Sequence, residues 1–434
     1  MGAMLLQSVV NEIDVLFFRE LGAHESTVAQ AALLPSLITV WLFGGTLSAI
    51  GVGTQAFTAR RVAEGKPHDA GAVMTNALAF CLVGGIAVMG IAALTLKPIL
   101  RAQNLSGEVF DVAYAYSTFR VFGVLSMATT IGAKAFFDGI GKTYVHFIAS
   151  LIMNVFNVLF CWMFIFGHWG APRMGAPGAG VGALLSTWVG LAIVLGFAWT
   201  ERHTYQFLRL KNLSWSLVGA MVKLSAPAAV ATVVMMAGFG KFASFAQDLD
   251  KVAGGAGGNG AATTNIVAIM KLTFTACIAF GVATATLVGQ SVGAGRNDLA
   301  KKYGWASARA GFLIFGVVGL LEGVIFNGEI CRFVSHDVVV QELMSKPLRA
   351  MGFATPLIAI ALILTEALFG AGRAVVVAVV QLVLIGAVLV PGAAYLSKTA
   401  GYGVYGMWIA AVAYSVLASL TLAAVFAKMK PKAL

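Results

Sequence analysis
The sequence predicts an all-α polytopic membrane protein with twelve transmembrane helices in two pseudo-symmetric six-helix lobes. Three observations lead there. The 434 residues are 59% hydrophobic and only 11% charged, with mean hydropathy +0.88, more apolar surface than a soluble core can hide. The apolar residues fall into twelve segments, most of them longer than the roughly 20 residues that cross a bilayer core. The second half of the chain also repeats landmarks of the first, in order. Fifty glycines against ten prolines suit helices that pack closely and bend locally.

Taken in order, the first span covers residues 1–22 and carries the polar face discussed below. The second, 28–58, has small residues at every fourth position in Gly45, Ala49 and Gly53, a packing seam. The third and fourth are 71–96 and 109–139. The fifth, 143–167, holds Asn154, Asn157 and Cys161, and the sixth is 178–199. The second half follows with 217–247, 263–292, 303–326, 348–370, 374–396 and 404–426; the eighth span again has a small pair, Ala279 and Ala283. Residues 201–216 read as a polar, basic linker across the cytoplasmic face. Residues 96–108 and 327–347 are mixed-polarity pieces at the outer surface, and the glycine-rich 253–262 is a mobile outer loop.

The repeat sets the domain organisation. Gly51-Val52-Gly53-Thr54 with Gly65-Lys66 returns as Gly281-Val282-Ala283-Thr284 with Gly295-Arg296, and Gly139-Ile140-Gly141-Lys142 returns as Gly370-Ala371-Gly372-Arg373. The N-terminal lobe is therefore placed at 1–200 and the C-terminal lobe at 217–434. Six spans is an even number, so the halves share one orientation and relate by an axis along the membrane normal, with a solute cavity between them. The seventh span has apolar helix, including Pro227, upstream of the point that pairs with Met1, so the first helix is expected to extend beyond Met1. The first span leads straight into the body of the protein, so no cleavable signal peptide is expected.

The net charge of +11 resembles a nucleic-acid signal, but its basis lies in the loops. One set of loops carries fourteen basic residues, among them Arg60, Arg61, Lys66, Lys211, Lys301, Lys302, Lys428 and Lys430; the other carries eight, mixed with acids. By the positive-inside rule the first set is cytoplasmic, with both termini there, in a multi-pass protein of the cell (inner) membrane. No nucleic-acid partner is expected; the partners are a small-molecule substrate and the lipid bilayer, and the chain is expected to act as a monomer. Cys81, Cys161, Cys277 and Cys331 lie in or beside apolar segments without ligand-like spacing, so neither a disulfide framework nor a metal site is predicted. The glycines of 255–260 mimic a dinucleotide fingerprint, but no strand precedes them. There is no phosphate-binding loop for an internal ATPase and no constellation of an enzyme, so energy must come from an ion gradient. No cofactor is expected beyond the coupling ion, a proton or else sodium.

Gln7, Asn11 and Asp14 recur at i, i+4 and i+7, so they line one face of the first helix. An acid inside an apolar span is costly and marks a functional site by default. Asp14 is the predicted ion-exchange residue; the alternative is a carboxylate paired with a base on a neighbouring helix. Glu12 points the other way, toward the side of Arg19, as a structural ion-pair member. Asn157 and Cys161 share a face of the fifth helix, where the Asn157 amide can hydrogen-bond Asp14 and sense its protonation, or make a plain interhelical bond. The other membrane-embedded charges are Arg120, Lys134, Lys223, Lys241, Lys271, Arg309, Glu322, Arg349 and Glu366. Lys134, Lys223, Arg309 and Arg349 lie near helix ends and are expected to snorkel. Glu366 is assigned to coupling or solute binding, or else to pairing with Lys241 or Lys271.

Four stretches resemble one family, the multidrug and toxic compound extrusion (MATE) transporters. They are Thr286-Leu287-Val288-Gly289-Gln290 through Gly293-Ala294-Gly295-Arg296, the turn Phe137-Asp138-Gly139-Ile140-Gly141-Lys142-Thr143, residues 157–167 with Gly170-Ala171-Pro172, and Ile13-Asp14-Val15 with Leu21-Gly22. The resemblance implies a twelve-helix fold with two lobes in a V, ion-driven alternating access, and export of cationic or amphiphilic compounds. It places the coupling carboxylate at Asp14, with Gln7 and Asn157 in the same chamber. Cys161 stands where some members carry a second acid. Ala183 stands where some have a threonine, which leaves Ser186 and Thr187 as the nearest hydroxyls. Met235 and Ile358 replace acids associated with sodium in one branch, which favours proton coupling through Asp14. The expected ion-coupling set is therefore Asp14, Asn157 and Glu366, and the substrate-binding set Gln7, Asn11, Asn154, Cys161, Ser186 and Thr187. The expected function is a proton-coupled antiporter for multidrug efflux. The alternative is a flippase of the same superfamily for a lipid-linked or anionic substrate.

Overall fold
A computed structural model describes residues 13–207, 209–254, 258–293, 296–371 and 373–428. The described residues are helical, with no strand. The first elements are α1 (Ile13–Arg19), α2 (Ala23–Ser48), α3 (Ile50–Ala63), α4 (Pro67–Ala102), α5 (Gly107–Phe122), α6 (Val124–Gly139), α7 (Thr143–Phe166), α8 (Ala176–Thr200) and the short α9 (Arg202–Tyr205). The second half continues with α10 (Trp215–Val252), α11 (Gly258–Gly293), α12 (Asn297–Leu320), α13 (Asn327–Val334), α14 (Val338–Gly370), α15 (Ala374–Leu384), α16 (Val390–Ala394) and α17 (Gly403–Ala427). Among the described residues nine helices are long and apolar enough to cross a membrane, and α5 with α6 forms a tenth, bent by 46°. The other two predicted spans fall on the 38-residue α10 and on the first helix, of which Ile13–Arg19 is described.

These helices form because they are apolar nearly all round, the pattern of a span that satisfies its own backbone hydrogen bonds in lipid. Outward faces stay apolar: Leu82, Val83, Ile86 and Leu94 of α4 are exposed, which water would penalise and hydrocarbon does not. At span ends basic side chains lie over rings, Lys97 at 4.9 Å from the Tyr114 ring and Arg101 at 5.6 Å from Phe110.

Packing divides the chain into two compact units, Leu33–Gly240 and a unit that joins Met1–Ala32 to Lys241–Leu434. The repeat divides the chain by sequence and the units divide it by contact, so the two partitions answer different questions. In the first unit Ala70, Met74, Phe136, Phe137, Val145 and Val194 form one buried cluster, and Leu47, Ile50, Ala77, Val124, Ala128 and Met221 another. In the second, Val288, Ala308, Leu364, Leu368, Leu422 and Phe426 form the main core.

Several expectations gain detail or change. The linker 201–216 is tied to the first unit. Phe207 is buried in the first unit, and Asn76 donates to the Asn212 carbonyl at 2.8 Å while accepting from the Ser214 amide at 2.8 Å. The tenth helix begins at Val338, not 348, because Asp337 caps it by accepting from the Val339 amide at 2.9 Å; Pro347 sits inside the helix. The loop expected at 253–262 is shorter, since α11 starts at Gly258. The Asp250 carboxylate accepts from the Asn259 and Gly260 amides at 2.7 and 2.8 Å, closing the orphan donors of that helix start. The ninth and eleventh spans contain π-helical turns at Leu321–Ile325, Ile385–Leu389 and Tyr395–Thr399, where the apolar pattern gives no warning.

Candidate functional site
Asp14 lies in the first turn of α1, half-buried and engaged by a partner, on a helix whose Val15 and Phe18 are buried. Gln7, Asn11 and Glu12 lie outside the described residues. At the other end of α1, Arg19 donates to His336 Nε2 at 3.1 Å and stacks on Phe333, which fixes this helix to α13. Asp14 thus belongs to the unit built mainly from the second half of the chain.

The remaining N-terminal candidates belong to the unit Leu33–Gly240, where α7 packs along α8 and α6 packs beside α8. Asn157 Nδ2 donates to Ser186 Oγ at 3.3 Å, and Ser186 donates back to the Ala183 carbonyl at 3.0 Å. Of the two roles read from the sequence for Asn157, this is the interhelical bond. Thr187 Oγ1 and Ser126 Oγ are 2.8 Å apart, which ties α8 to α6. Asn154 is buried one turn before Asn157. Cys161 is fully buried, its thiol 3.8 Å from the Ala179 carbonyl, and a Cβ added at Gly182 would meet Cys161 Sγ at 2.7 Å. Its place is the α7–α8 seam.

Glu366 on α14 is half-buried against α11, where a Cβ added at Gly281 would come within 2.8 Å of its Cγ. Lys241 makes a cation–π contact with Phe245 at 5.5 Å. Met235 is exposed and Ile358 buried, both apolar as read from the sequence.

One expectation about charge is overturned. Lys134 does not snorkel: it is buried, and Nζ donates to Ser150 Oγ at 2.7 Å. The sequence did hold a signal for this, since Ser150, Asn154, Asn157 and Cys161 recur at i, i+4, i+7 and i+11 along one face of α7. Lys223, Arg309 and Arg349 are exposed. Sequence reasoning also missed Ser126 and Thr273, because a lone hydroxyl in an apolar helix carries no pattern. Among the described residues no group of three potential metal ligands occurs, and all four cysteines are buried with none in a disulfide.

Comparison with known proteins bears on the fold and the family. The MatE family model matches residues 1–163 and 252–396. A probable multidrug resistance protein NorM from Thermotoga maritima is 24% identical over 95% of this chain and 87% of its own. A NorM relative from Halalkalibacterium halodurans is 25% identical over 92% of this chain and 86% of its own. Among solved structures, an inward-facing multidrug resistance MATE family transporter of the MOP superfamily superposes with TM-score 0.80 at 18% identity, covering 98% of this chain and 96% of that one. A MOP superfamily transporter from Pyrococcus furiosus, described as having a binding pocket of reverse polarity that suggests a different function, superposes with TM-score 0.76 at 17% identity, covering 98% and 95%. These likenesses give the fold, twelve helices in two lobes. The family match covers well over half of the sequence, and with it the chain is a multi-pass membrane protein that belongs to the MatE family of transporters, which is not an enzyme class.

Proposed function
We propose that this protein is a proton-coupled secondary antiporter that exports cationic or amphiphilic small molecules by alternating access. The observation that carries this reading is an acid, Asp14, inside a span of a chain that belongs to a transporter family. The NorM relatives are named probable multidrug resistance proteins, which supports drug efflux. Open to the cytoplasm, Asp14 is ionised and the cavity accepts a solute. Open to the outside, a proton neutralises it, its hydrogen bonds rearrange and solute affinity falls. Each ~1.4 kcal/mol of that change shifts a two-state equilibrium tenfold. Asn157 with Ser186, and Thr187 with Ser126, line the solute path, and Glu366 serves coupling in the other unit. The protein sits in the cell membrane with both termini cytoplasmic, the orientation that the loop charges favour, and acts as a monomer.

A second reading rests on the bases Arg120, Lys241 and Lys271 within apolar spans of the chain. Arg120, near the Tyr116 ring at 5.9 Å, with Lys241 and Lys271, suits an anionic or lipid-linked substrate moved by a flippase. The reverse-polarity pocket described for the Pyrococcus furiosus transporter is a precedent within the same fold. Proteoliposomes carrying the full chain separate the readings. A panel of organic cations and one lipid-linked anion are offered under a proton gradient alone, then a sodium gradient alone. Cation efflux with the proton gradient only is the expected result; movement of the anion alone would select the flippase.

A further inference from the structure
Glu322 is a membrane-embedded acid that the proposed transport cycle does not use. It sits in the π-helical turn Leu321–Ile325 that ends the ninth span. Thr273 on α11, itself buried, donates to Glu322 Oε1 at 2.6 Å. Oε2 is buried and, among the described residues, meets no protein donor. On its inner side the acid adjoins an apolar cluster of Cys277, Phe315, Ala359 and Ile363. Next to it the backbones of two helices touch: a Cβ at Gly323 would lie 2.8 Å from Gly352 Cα. The carboxyl is therefore held in place by close-packed helices rather than swinging in solvent.

An ionised carboxylate with one bare oxygen in such surroundings costs far more than the neutral acid. Among the described residues its polar partner is Thr273 and it forms no ion pair. The charged groups on the neighbouring elements α14 and α13 are Glu342, Lys346 and Arg349 and the pair Glu329–Arg332 at 3.1 Å, all exposed, and half-buried Glu366 near the far end of α14. On α11 the thiol of Cys277 lies one turn from Thr273, and half-buried Lys271 has a partner of its own. On α12 itself Arg309 is exposed. A π-helical turn holds one residue more than an α-turn, and such turns mark functional positions. Rewinding it to α-helix rotates Glu322 away from Thr273.

We propose that Glu322, hydrogen-bonded to Thr273, is a second proton-binding site of this protein, in the unit that also contains Asp14. The neutral acid accepts from Thr273 through Oε1 and carries its proton on Oε2. Rewinding of the π-turn carries the acid out of its enclosure, where it releases that proton.

The test is infrared spectroscopy of the reconstituted full chain, following the C=O stretch of protonated carboxyls during exchange into D2O and a pH titration. The wild type should show, at neutral pH, a protonated-carboxyl band that shifts in D2O and disappears on alkalinisation. Glu322→Gln, which keeps the shape and can still accept from Thr273, should lack it. Thr273→Val should move its frequency. Asp14→Asn should leave it in place, so failure of the Asp14 assignment and failure of this one are told apart. A carboxyl region unchanged by Glu322→Gln would overturn the proposal. So would a Glu322 band that neither exchanges nor titrates, since that is a sealed structural acid.

Discussion
The two units bury charge in opposite senses with the same tool. In Leu33–Gly240 the buried charge is a base, Lys134, and a serine hydroxyl accepts from it at 2.7 Å. In the other unit the enclosed charges are acids: Asp250 is buried and accepts from two backbone amides, and half-buried Glu322 accepts from a threonine hydroxyl at 2.6 Å. A hydroxyl serves both because it is donor and acceptor at once. What differs is the neighbourhood. Lys134 stands at the end of a polar stripe on α7 that runs through Asn154 to the Asn157–Ser186 bond. Glu322 stands at the edge of an apolar cluster with one oxygen bare. A base on a polar stripe can be structural, because its neighbours share its hydration needs. An acid held alone among apolar groups is built to change charge.

The contrast breaks first at Ser150. Ser150→Ala strands the Lys134 amine and should cost about 3 kcal/mol, whereas Lys134→Met with Ser150→Ala should recover most of it. Thermal unfolding of the four proteins of this cycle in detergent checks the point; additive losses would show that the pair is not a unit. Next in size is Asp250→Ala in the acid-bearing unit, which removes the acceptor of two helix-start amides and should cost about 1 kcal/mol. Burial raises the Asp250 carboxyl above its usual 3.8, against the opposing pull of the Gly260 and Asn259 amides. The native state then keeps its proton where the unfolded chain has lost it. Stability relative to Asp250→Asn should therefore rise as pH falls through the native value and level off below 3.8. A flat difference would mean that Asp250 is effectively solvated. Asn157→Leu should cost only about 0.6 kcal/mol, the usual worth of an interhelical bond in a membrane, while efflux falls much further. Equal losses in both would make that bond structural only. The smallest effect concerns Cys331, whose thiol burial pushes up to about 11. Maleimide labelling of the folded protein should stay slow at neutral pH, and fast labelling would show that α13 opens.

The helix-rich, membrane-spanning fold was readable because apolar length is a direct consequence of bilayer thickness. Helix ends were less readable. Asp337 and Asp250 start or close helices through single hydrogen bonds that a hydropathy pattern does not register, and Pro347 read as a boundary although the helix runs through it. The bend of 46° between Phe122 and Val124 and the three π-turns are backbone events with no compositional sign. At the site, Asn157, Ser186 and Thr187 were legible as polar residues on apolar helices, but their partners were not: Ser126 looks like any serine. Lys134 departs from the expectation because nearness to a helix end favours snorkelling only when the path to water is open, and here the side chain is buried and bonded to Ser150 of α7. Gln7 and Asn11, two of the residues that drew attention to the first helix, lie outside what the structure describes.

The central claim is that the charge of Asp14 couples the proton gradient to solute movement. The most direct measurement is efflux of a fluorescent organic cation from proteoliposomes under an imposed pH gradient, comparing wild type with Asp14→Asn at matched insertion. Gradient-driven efflux should be lost in the variant while equilibrium exchange of the cation across the membrane persists. Undiminished pH-driven efflux in Asp14→Asn would contradict the claim.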